Sequence, residues 1–396
     1  MRRLLFWSSG AFLAYVYVGF PLLVLLRGRF FRRPYASADG TPSVSVVIAG
    51  HNEAAVIRGR LENLLALDYP EDRLEVIVAS DGSDDGTNEI LGQCGDQRVR
   101  WLDLPRVGKA EALNAAVAAA RGEVLVFSDA NSIFRPDAVR QLVSPLADPS
   151  VGGVAGNQVF LETGADSGDS SVVGEQQYWN FDRALKVAQS SAGSVTGATG
   201  AIYAVRRELF EPIRPDVNDD LLTSLRVVAQ GYRVVFAPGA VAYEHVPGTA
   251  SVNFSRRVRV IVRGLRCVLV MRTLLDPRRH GFFSLQLLTH KVLLRTAVIP
   301  LGALAGTSAL LWRRGAVYRL ATVGQTLFYA LGLAGMLLAD RPIGRRKMLA
   351  LPAYFCLVNA ASAKALWQLA RRETHERWEP SRSGDGSSSP GDQPAA

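Results

Sequence analysis

The sequence predicts an α/β protein with a parallel sheet, because three short apolar runs each end in a polar turn and lead into a helical pattern. The runs occupy residues 43–49, 74–79 and 124–127, and they are rich in β-branched and aliphatic residues, as buried strands are. Ligands of such folds bind at the carboxyl ends of the strands, so the polar turns are the candidate functional positions.

Acidic residues are concentrated in and after these turns. Glu53 follows the first run, Asp81 the second and Asp129 the third, while Asp219 and Asp220 lie further along the chain. The alternative for each is a purely structural role as a turn or helix-capping residue, since aspartate accepts hydrogen bonds from free backbone N–H groups. Two separate carboxylate centres on one scaffold instead indicate group-transfer chemistry.

Residues 43–264 resemble a family 2 glycosyltransferase of the GT-A type, a Rossmann-like fold that binds nucleotide-diphosphosugars. Seven short motifs in the family's order carry the resemblance. They are His51-Asn52-Glu53, residues 78–87, residues 108–114, residues 128–131, residues 197–201 with Arg206-Arg207, Asn218-Asp219-Asp220, and Arg256-Arg257-Val258-Arg259. The predicted catalytic domain covers residues 40–264.

The resemblance implies a donor site at the first strand ends. Glu53 and Asp81 match family positions that contact the nucleoside, where a carboxylate can accept the uracil imide N–H or ribose hydroxyls. Lys109 matches the family's basic residue near the diphosphate, and Gly200 lies in the family loop beside the acceptor sugar. The alternative for Glu53 and Asp81 is a solvated acid in a loop, and the alternative for Lys109 is a lone surface lysine.

Asp129 matches the first acid of the family's metal-binding Asp-x-Asp element, which implies Mg²⁺ or Mn²⁺ as cofactor. These hard cations prefer carboxylate and phosphate oxygens and neutralise charge on a diphosphate leaving group. The second acid of the element is replaced by Asn131, which is a weaker, neutral ligand. Asn131 therefore coordinates poorly, through water, or not at all.

Asp220 aligns with the second acid of the family's acidic pair and is the predicted general base, with Asp219 as the other member of the catalytic pair. A carboxylate there can take the proton of an acceptor hydroxyl while its oxygen attacks and inverts the anomeric carbon. Capping of the following helix by Asn218 or Asp219 is compatible with this role.

Three arginines, Arg256, Arg257 and Arg259, occupy the place of the Gln-x-x-Arg-Trp element of membrane polysaccharide synthases. Arg256 stands in place of the glutamine, and Val260 in place of the tryptophan that would stack on an acceptor in a cellulose- or hyaluronan-like synthase. Arg257 and Arg259 are the predicted substrate contacts, and Arg259 matches the family arginine. The alternative is a basic cluster that only meets lipid headgroups.

Residues 1–30 predict an N-terminal transmembrane helix, because residues 4–26 are nearly uncharged and long enough to cross a bilayer. A cleaved signal peptide is the alternative, but the apolar run is too long and no clear small-residue cleavage site follows. Four arginines come directly after the run, between residues 27 and 33, and such clusters stay on the cytoplasmic side. We therefore expect a multi-pass plasma-membrane protein with a cytoplasmic catalytic domain.

Residues 265–372 predict interfacial and transmembrane helices. The stretch 265–275 carries two arginines and fits a helix that lies in the membrane interface. The stretch 282–311 is long enough to span but is charged in its first part, so insertion is expected from about residue 296. Residues 320–338 and 348–369 are cleaner spans.

The composition agrees with an enzyme attached to a membrane. The chain has 396 residues, of which 48% are hydrophobic, and a net charge of +9. Its basic residues gather beside apolar spans and not in a stripe with stacking aromatics, which predicts membrane lipids rather than nucleic acid as the charged partner. Three scattered cysteines indicate neither a disulfide framework nor a metal site. The Ser-, Gly- and Pro-rich end, residues 373–396, predicts a disordered tail.

Together these features predict an inverting glycosyltransferase that moves a sugar from a nucleotide-diphosphate sugar to a hydroxyl of a glycan or lipid-linked acceptor. A UDP-sugar is the favoured donor. Polysaccharide synthesis is the favoured role, because spans flank the catalytic domain on both sides and could form an export path. Transfer of a single sugar to a lipid carrier is one alternative, and a catalytically idle scaffold subunit is the other.

Overall fold

The computed structural model describes residues 1–161, 170–245, 250–339, 341–344 and 346–371, so the predicted tail at residues 373–396 lies outside the described residues. Its strands are β1 (Val44–Gly50), β2 (Leu74–Asp81), β3 (Val99–Leu104), β4 (Val124–Phe127), β5 (Ile133–Phe134), β6 (Val151–Leu161), β7 (Tyr203–Arg206) and β8 (Arg233–His245). These strands form one sheet in the order β3-β2-β1-β4-β7-β6-β8-β5.

The helices that the structure describes are α1 (Arg2–Ala14), α2 (Phe20–Phe30), α3 (Ala54–Leu65), α4 (Thr87–Gly92), α5 (Lys109–Ala119), α6 (Ala138–Val143), α7 (Ser170–Ala192), α8 (Asp219–Ala229), α9 (Ala250–Val270), α10 (Pro277–His280), α11 (Phe282–Leu287), α12 (Leu294–Thr296), α13 (Val298–Leu310), α14 (Ala316–Leu337) and α15 (Lys347–Ala370). Two π-helical segments, Tyr15–Gly19 and Leu288–Leu293, interrupt the apolar helices. Short 3₁₀ turns occupy Glu71–Arg73, Ser144–Ala147, Arg207–Leu209, Arg272–Leu275 and Trp312–Arg314.

The α/β fold class is confirmed, but the sheet is mixed and not parallel throughout. β1 pairs in parallel with β2 and β4, and β2 with β3, as the sequence predicts. β7 runs antiparallel to β4 and β6, and β5 runs antiparallel to β8. A strand that is buried on both faces has the same apolar run in either direction, so composition alone does not reveal the reversal.

The sheet has a hydrophobic core on each face, and β1 contributes to both. Val46 and Ile48 pack with Leu61 of α3 on one face, whereas Val47 packs with Leu113 of α5 on the other. Every residue of β1 is buried. This two-sided burial explains why the strand has a continuous apolar run and places its polar carboxyl end, with those of β2 and β4, at one edge of the sheet.

Three described helices are long and apolar enough to cross a membrane, namely Arg2–Phe30, Ala316–Leu337 and Lys347–Ala370. A further pair, Phe282–Thr296 and Val298–Leu310, passes the same test together but is bent by 49°, which gives a broken fourth span or a re-entrant loop. The bend lies at Ala297, next to the point at which the sequence predicts insertion to begin.

The first apolar helix packs directly on the catalytic domain. Phe20 and Val24 of α2 contact Leu185 and Ala188 of α7. Gly28 allows the closest approach, because a Cβ built there would lie 2.7 Å from the Cα atom of Ala188. The helix is therefore part of the folded core as well as a candidate anchor.

Helix α9 joins the sheet domain to the last apolar helix and runs across the predicted domain boundary at residue 264. Val258 and Ile261 on α9 pack with Ala361 and Ala365 of α15. Further along, Cys267 packs against the α8 side of the domain. The predicted interfacial stretch 265–275 is thus the end of α9 and a 3₁₀ turn.

Arg60 on α3 is fully buried although it carries a charge. Its guanidinium donates to Asn63 Oδ1 at 2.8 Å and to Ser128 Oγ at 2.7 Å. Burial lowers the pKa of Arg60 to about 9, while the nearby carboxylates of Glu244 and Asp129 act in the opposite direction. Arg60 therefore holds the turn that follows β4.

The same contact reaches the loop at residues 197–201. Ser128 Oγ accepts the Arg60 hydrogen bond and donates to the carbonyl oxygen of Ala201 at 2.9 Å. One buried arginine thereby links α3, the end of β4 and the loop before β7.

We expect Arg60→Met to destabilise the domain, because it removes a buried donor and leaves its acceptors and the nearby carboxylates uncompensated. Removing one member of a buried charged network costs about 3 kcal/mol, which lowers the melting temperature by roughly 6–12 °C for a domain of this size. Differential scanning fluorimetry of the detergent-purified chain measures the change. Arg58→Met is the matched control, since Arg58 is exposed on the same helix and donates to Gln93 Oε1 at 3.3 Å. Equal melting temperatures for the two variants would contradict this role.

Candidate active site

Lys109, Asp129 and Asp219 meet at the edge of the sheet formed by the carboxyl ends of β1, β2 and β4. Lys109 begins α5, and its Nζ atom lies 2.8 Å from Asp129 Oδ1 and 3.5 Å from Asp219 Oδ2. Burial disfavours the charged form of Lys109, but Asp129 and Asp219 outweigh burial and raise its pKa well above the usual value. The lysine is therefore a fixed cation between two carboxylates.

Asp129 is held in its ionised form by the charges around it. Burial raises the pKa of this carboxyl group, but the positive charges of Lys109, Arg256 and Arg60 lower it by more. The net shift of the pKa is therefore downward. Gly200 packs on its other side, since a Cβ built there would lie 3.1 Å from Asp129 Oδ2. The glycine predicted beside the acceptor thus also leaves room for this carboxylate.

Asp220 has the opposite electrostatic environment. Burial and the neighbouring Asp219 raise its pKa to about 6, while the Leu221 N–H, Lys109 and Lys291 act against them. The Leu221 N–H donates to Asp220 Oδ1 at 2.7 Å and fixes the side chain. Asp220 can therefore exchange a proton near neutral pH, as a general base must.

Ser224 ties this helix to the loop at residues 197–201. Its hydroxyl donates to the Asp220 carbonyl oxygen at 2.7 Å and accepts from the Ala198 N–H at 3.0 Å. Asn218, which precedes α8, does not cap the helix with its side chain, which donates to the Val260 carbonyl oxygen at 3.1 Å instead. The start of α8 is thus bound both to the loop and to α9.

A cavity of about 250 Å³ opens beside these carboxylates. Its lining includes Asp129, Gly200 and Asp220 on the side of the sheet domain, and His290, Lys291 and Arg295 on the bent apolar helix. The ring of Trp179 also lines it, whereas the side chain of Tyr178 lies outside the described residues. The cavity therefore joins the sheet edge to the apolar helices.

The two predicted nucleoside contacts lie at the same edge but do not line the cavity. Asp81 has no exposed surface, and its carboxylate accepts from the Val107 and Gly108 N–H groups at 2.7 and 2.9 Å and from Arg106 Nη1 at 3.0 Å. Glu53 is also buried. In this conformation Asp81 shapes the loop that leads into Lys109.

Asn131 is exposed, and its side chain makes no hydrogen bond with any residue that the structure describes. Within the described ranges, no group of three or more His, Cys, Asp or Glu side chains is arranged to hold a metal ion by itself. Asp129 is therefore the better placed of the two predicted ligands.

The three arginines of α9 separate into two groups, as their spacing requires. Arg256 and Arg257 line the cavity, and the Arg257 guanidinium carbon lies 4.9 Å from the centroid of the Tyr354 ring. Arg259 is half-buried and does not line it. The geometry favours Arg256 and Arg257 over Arg259 as contacts for a ligand in the cavity.

Sequence reasoning missed Glu244, an acid close to Asp129. Glu244 at the end of β8 is buried and accepts from Ser132 Oγ at 2.6 Å and Gln158 Nε2 at 2.5 Å. Burial and the nearby Asp129 raise its pKa. An acid at the end of an apolar run was the signal that identified Asp129, so Glu244 could have been found in the same way.

The chain matches the family described as "Glycosyltransferase like family 2" over residues 42–262. A poly-β-1,6-N-acetyl-D-glucosamine synthase of Staphylococcus aureus strain COL is 27% identical over 238 residues, which are 58% of this chain and 56% of the relative. A probable glycosyltransferase of Bacillus subtilis strain 168, YdaM, is 29% identical over 234 residues, 55% of this chain and 54% of the relative. The chain therefore spans about half the length of the curated relatives it matches.

A solved structure resembles the chain over more of its length. The mannosyltransferase PcManGT from Pyrobaculum calidifontis, in complex with GDP-Man and Mn²⁺, has a TM-score of 0.68 and 27% identity, and the match covers 92% of this chain and 99% of that one. It confirms the GT-A-like fold. With a family match over more than half of its length and this fold, the chain belongs to glycosyltransferase family 2.

Proposed function

We propose that the chain is an inverting glycosyltransferase that moves a sugar from a nucleotide-diphosphate sugar to a hydroxyl of a glycan or lipid-linked acceptor, in polysaccharide synthesis. The observation that carries the proposal is the pairing of an ionised Asp129, bound to Lys109, with an Asp220 of raised pKa in one cavity. Two carboxylates whose environments separate their pKa values are suited to different roles in one reaction.

In this mechanism Asp220 takes the proton of the acceptor hydroxyl. The hydroxyl oxygen attacks the anomeric carbon, the bond from that carbon to the diphosphate oxygen breaks, and the electron pair leaves with the diphosphate. Leu221 holds one Asp220 oxygen through its N–H, which leaves Oδ2 for the proton. Lys109 supplies positive charge next to the departing group.

The residues fit a divalent cation held jointly with the donor. Asp129 offers a carboxylate, Asn131 follows it, and a magnesium-like ion in such enzymes is held by one or two carboxylates together with substrate phosphates. Gly200 leaves the space beside Asp129 Oδ2 clear of a side chain. Mg²⁺ or Mn²⁺ there would neutralise charge on the leaving diphosphate.

The donor nucleoside is assigned to the edge that holds Glu53 and Asp81. Asp81 would act through the loop at residues 106–108 or accept the base N–H after this loop moves. Uracil offers one imide N–H to a carboxylate, and a UDP-sugar remains the favoured donor. PcManGT was solved with GDP-Man, so GDP-sugars are the main competitors.

A donor panel tests the transferase and its metal together. Purified chain with UDP- and GDP-sugars should release nucleoside diphosphate from one class when Mg²⁺ or Mn²⁺ is present and stop when a chelator is added. Asp129→Ala should raise the donor KM at least about tenfold, because the only carboxylate of its turn is lost. Asp72→Ala, which removes an exposed acid paired with Arg73, is the control. Release that is unaffected by chelator would overturn the metal assignment, and no release from any donor would favour the scaffold subunit.

Asp220→Asn should abolish turnover and leave donor binding nearly intact, since the amide keeps the shape but cannot take a proton. We expect kcat to fall roughly 100-fold or more. For the wild type, kcat/KM should fall as the pH drops below about 6, because the base becomes protonated there. Asp216→Asn is the control, as Asp216 lies four residues before Asp220 and pairs with the exposed Arg214. A wild-type rate in Asp220→Asn would assign the base to another group.

The catalytic domain is proposed to face the cytosol, where four arginines between residues 27 and 33 would hold the end of the first span. The other end of that span packs beside the turn before α14. There Phe6 contacts Leu311 and Tyr318, which flank the turn. The two ends of the helix should therefore lie on opposite sides of the membrane.

Cysteine labelling of intact cells tests this orientation. An impermeant maleimide should label Arg314→Cys, in that turn, but not Asp72→Cys in the catalytic domain. Both positions are exposed, and the three native cysteines Cys94, Cys267 and Cys356 are replaced by alanine beforehand. Labelling of Asp72→Cys without permeabilisation would place the domain outside the cell.

A further inference from the structure

Two cations of the bent apolar helix line the cavity and are not used in the donor chemistry proposed above. Lys291 and Arg295 both line the cavity and both belong to the bent apolar segment Phe282–Thr296. Within the part of the chain that the structure describes, neither makes a hydrogen bond or an ion pair. Charges in an apolar helix are costly without a partner and mark ligand or ion sites in membrane proteins.

The two side chains lie along a path away from the proposed base. Lys291 Nζ lies 3.8 Å from the position of a Cβ built at Gly197, in the loop next to Asp220. Arg295 follows one helical turn later, about 6 Å along the axis, and shares the cavity wall with Val358 of α15. The path therefore leads from Asp220 toward the apolar helices.

The backbone of this path is unusual as well. Lys291 lies in the π-helical segment Leu288–Leu293, and widened turns of this kind are frequent at functional sites. Thr289 of the segment bonds Tyr15 of the other π-helical segment, with 3.1 Å between their oxygens. The position of Lys291 is thus set by contacts between two apolar helices.

The cationic side chains that line the cavity outnumber its carboxylates, although Asp182 and Asp220 both interact with Lys291. Five cationic side chains line the cavity, namely Lys186, Arg256, Arg257, Lys291 and Arg295, against the carboxylates Asp129, Asp182 and Asp220. Asp129 is bound to Lys109 at 2.8 Å. Asp182 pairs with Lys186 at 3.1 Å and lies 3.8 Å from His290 Nε2. The cavity lining therefore carries an excess of positive charge.

We propose that the acceptor is a lipid that carries a phosphate group, and that Lys291 and Arg295 bind this phosphate while the acceptor hydroxyl lies at Asp220. The placement of the acceptor hydroxyl at Asp220 rests on the proposed function. A guanidinium binds phosphate through two parallel hydrogen bonds and an ammonium adds a point charge, so the pair suits a phosphate oxyanion.

Direct binding to the full-length chain in detergent micelles tests this assignment without turnover. Farnesyl phosphate, farnesol and inorganic phosphate are compared by titration calorimetry. We expect farnesyl phosphate to bind at least tenfold more tightly than the other two. Lys291→Gln and Arg295→Gln should each weaken its binding roughly tenfold, the scale of one hydrogen bond to a charged group, and Lys291→Arg should retain most of it.

Arg319→Gln is the matched control, because Arg319 is exposed on α14 and does not line the cavity. Equal affinity for farnesol and farnesyl phosphate would overturn the proposal. If inorganic phosphate bound as tightly as farnesyl phosphate, the site would be one for free phosphate, and the lipid part of the proposal would be wrong. Variants that weaken binding of UDP or GDP but not of farnesyl phosphate would assign the cations to the donor. The donor panel reports separately on whether the chain transfers sugar at all.

Discussion

The candidate site depends on the ion pairs that the ammonium group of Lys109 makes with two carboxylates. The ammonium group lies between Asp129, which follows a central strand, and Asp219, which begins a helix from a different part of the chain. Without a cation these carboxylates would repel each other, and the two segments could not meet at low cost. The same charge keeps Asp129 ionised, whereas Asp220 has burial and Asp219 acting against ionisation. One lysine thus allows neighbouring carboxylates to differ in protonation.

The apolar helices form part of the candidate site as well as candidate spans. One wall of the cavity comes from the sheet edge and the loop at residues 197–201, and the opposite wall comes from α9, the bent helix and α15. His290 joins the two, because its Nδ1 lies 3.0 Å from Thr196 Oγ1. A change in how these helices pack would therefore alter the shape of this wall of the cavity while leaving the Lys109 cluster in place.

The sequence predicted the features that local patterns encode. Apolar runs ending in polar turns located Glu53, Asp81 and Asp129 at one sheet edge, and apolar length located the candidate spans. Features that arise only from long-range packing were not accessible. The strand reversal at β7 leaves no local signal, because burial on both faces hides direction. Spacing separates the three arginines of α9, but which of them line the cavity depends on the face of α9 that meets it. The burial of Arg60 likewise depends on a turn far along the chain.

The contact between α2 and α7 has a consequence for any water-soluble fragment of this protein. Leu185 and Ala188 are covered by Phe20 and Val24, and Arg233 donates to the carbonyl oxygen of Arg33 at 2.8 Å. A fragment that starts after residue 40 would present an uncovered apolar strip on α7 and lose the acceptor that Arg33 supplies to Arg233. Such strips promote self-association. The first apolar helix therefore covers an apolar strip of the catalytic domain. An unrelated membrane anchor of equal length would not replace it.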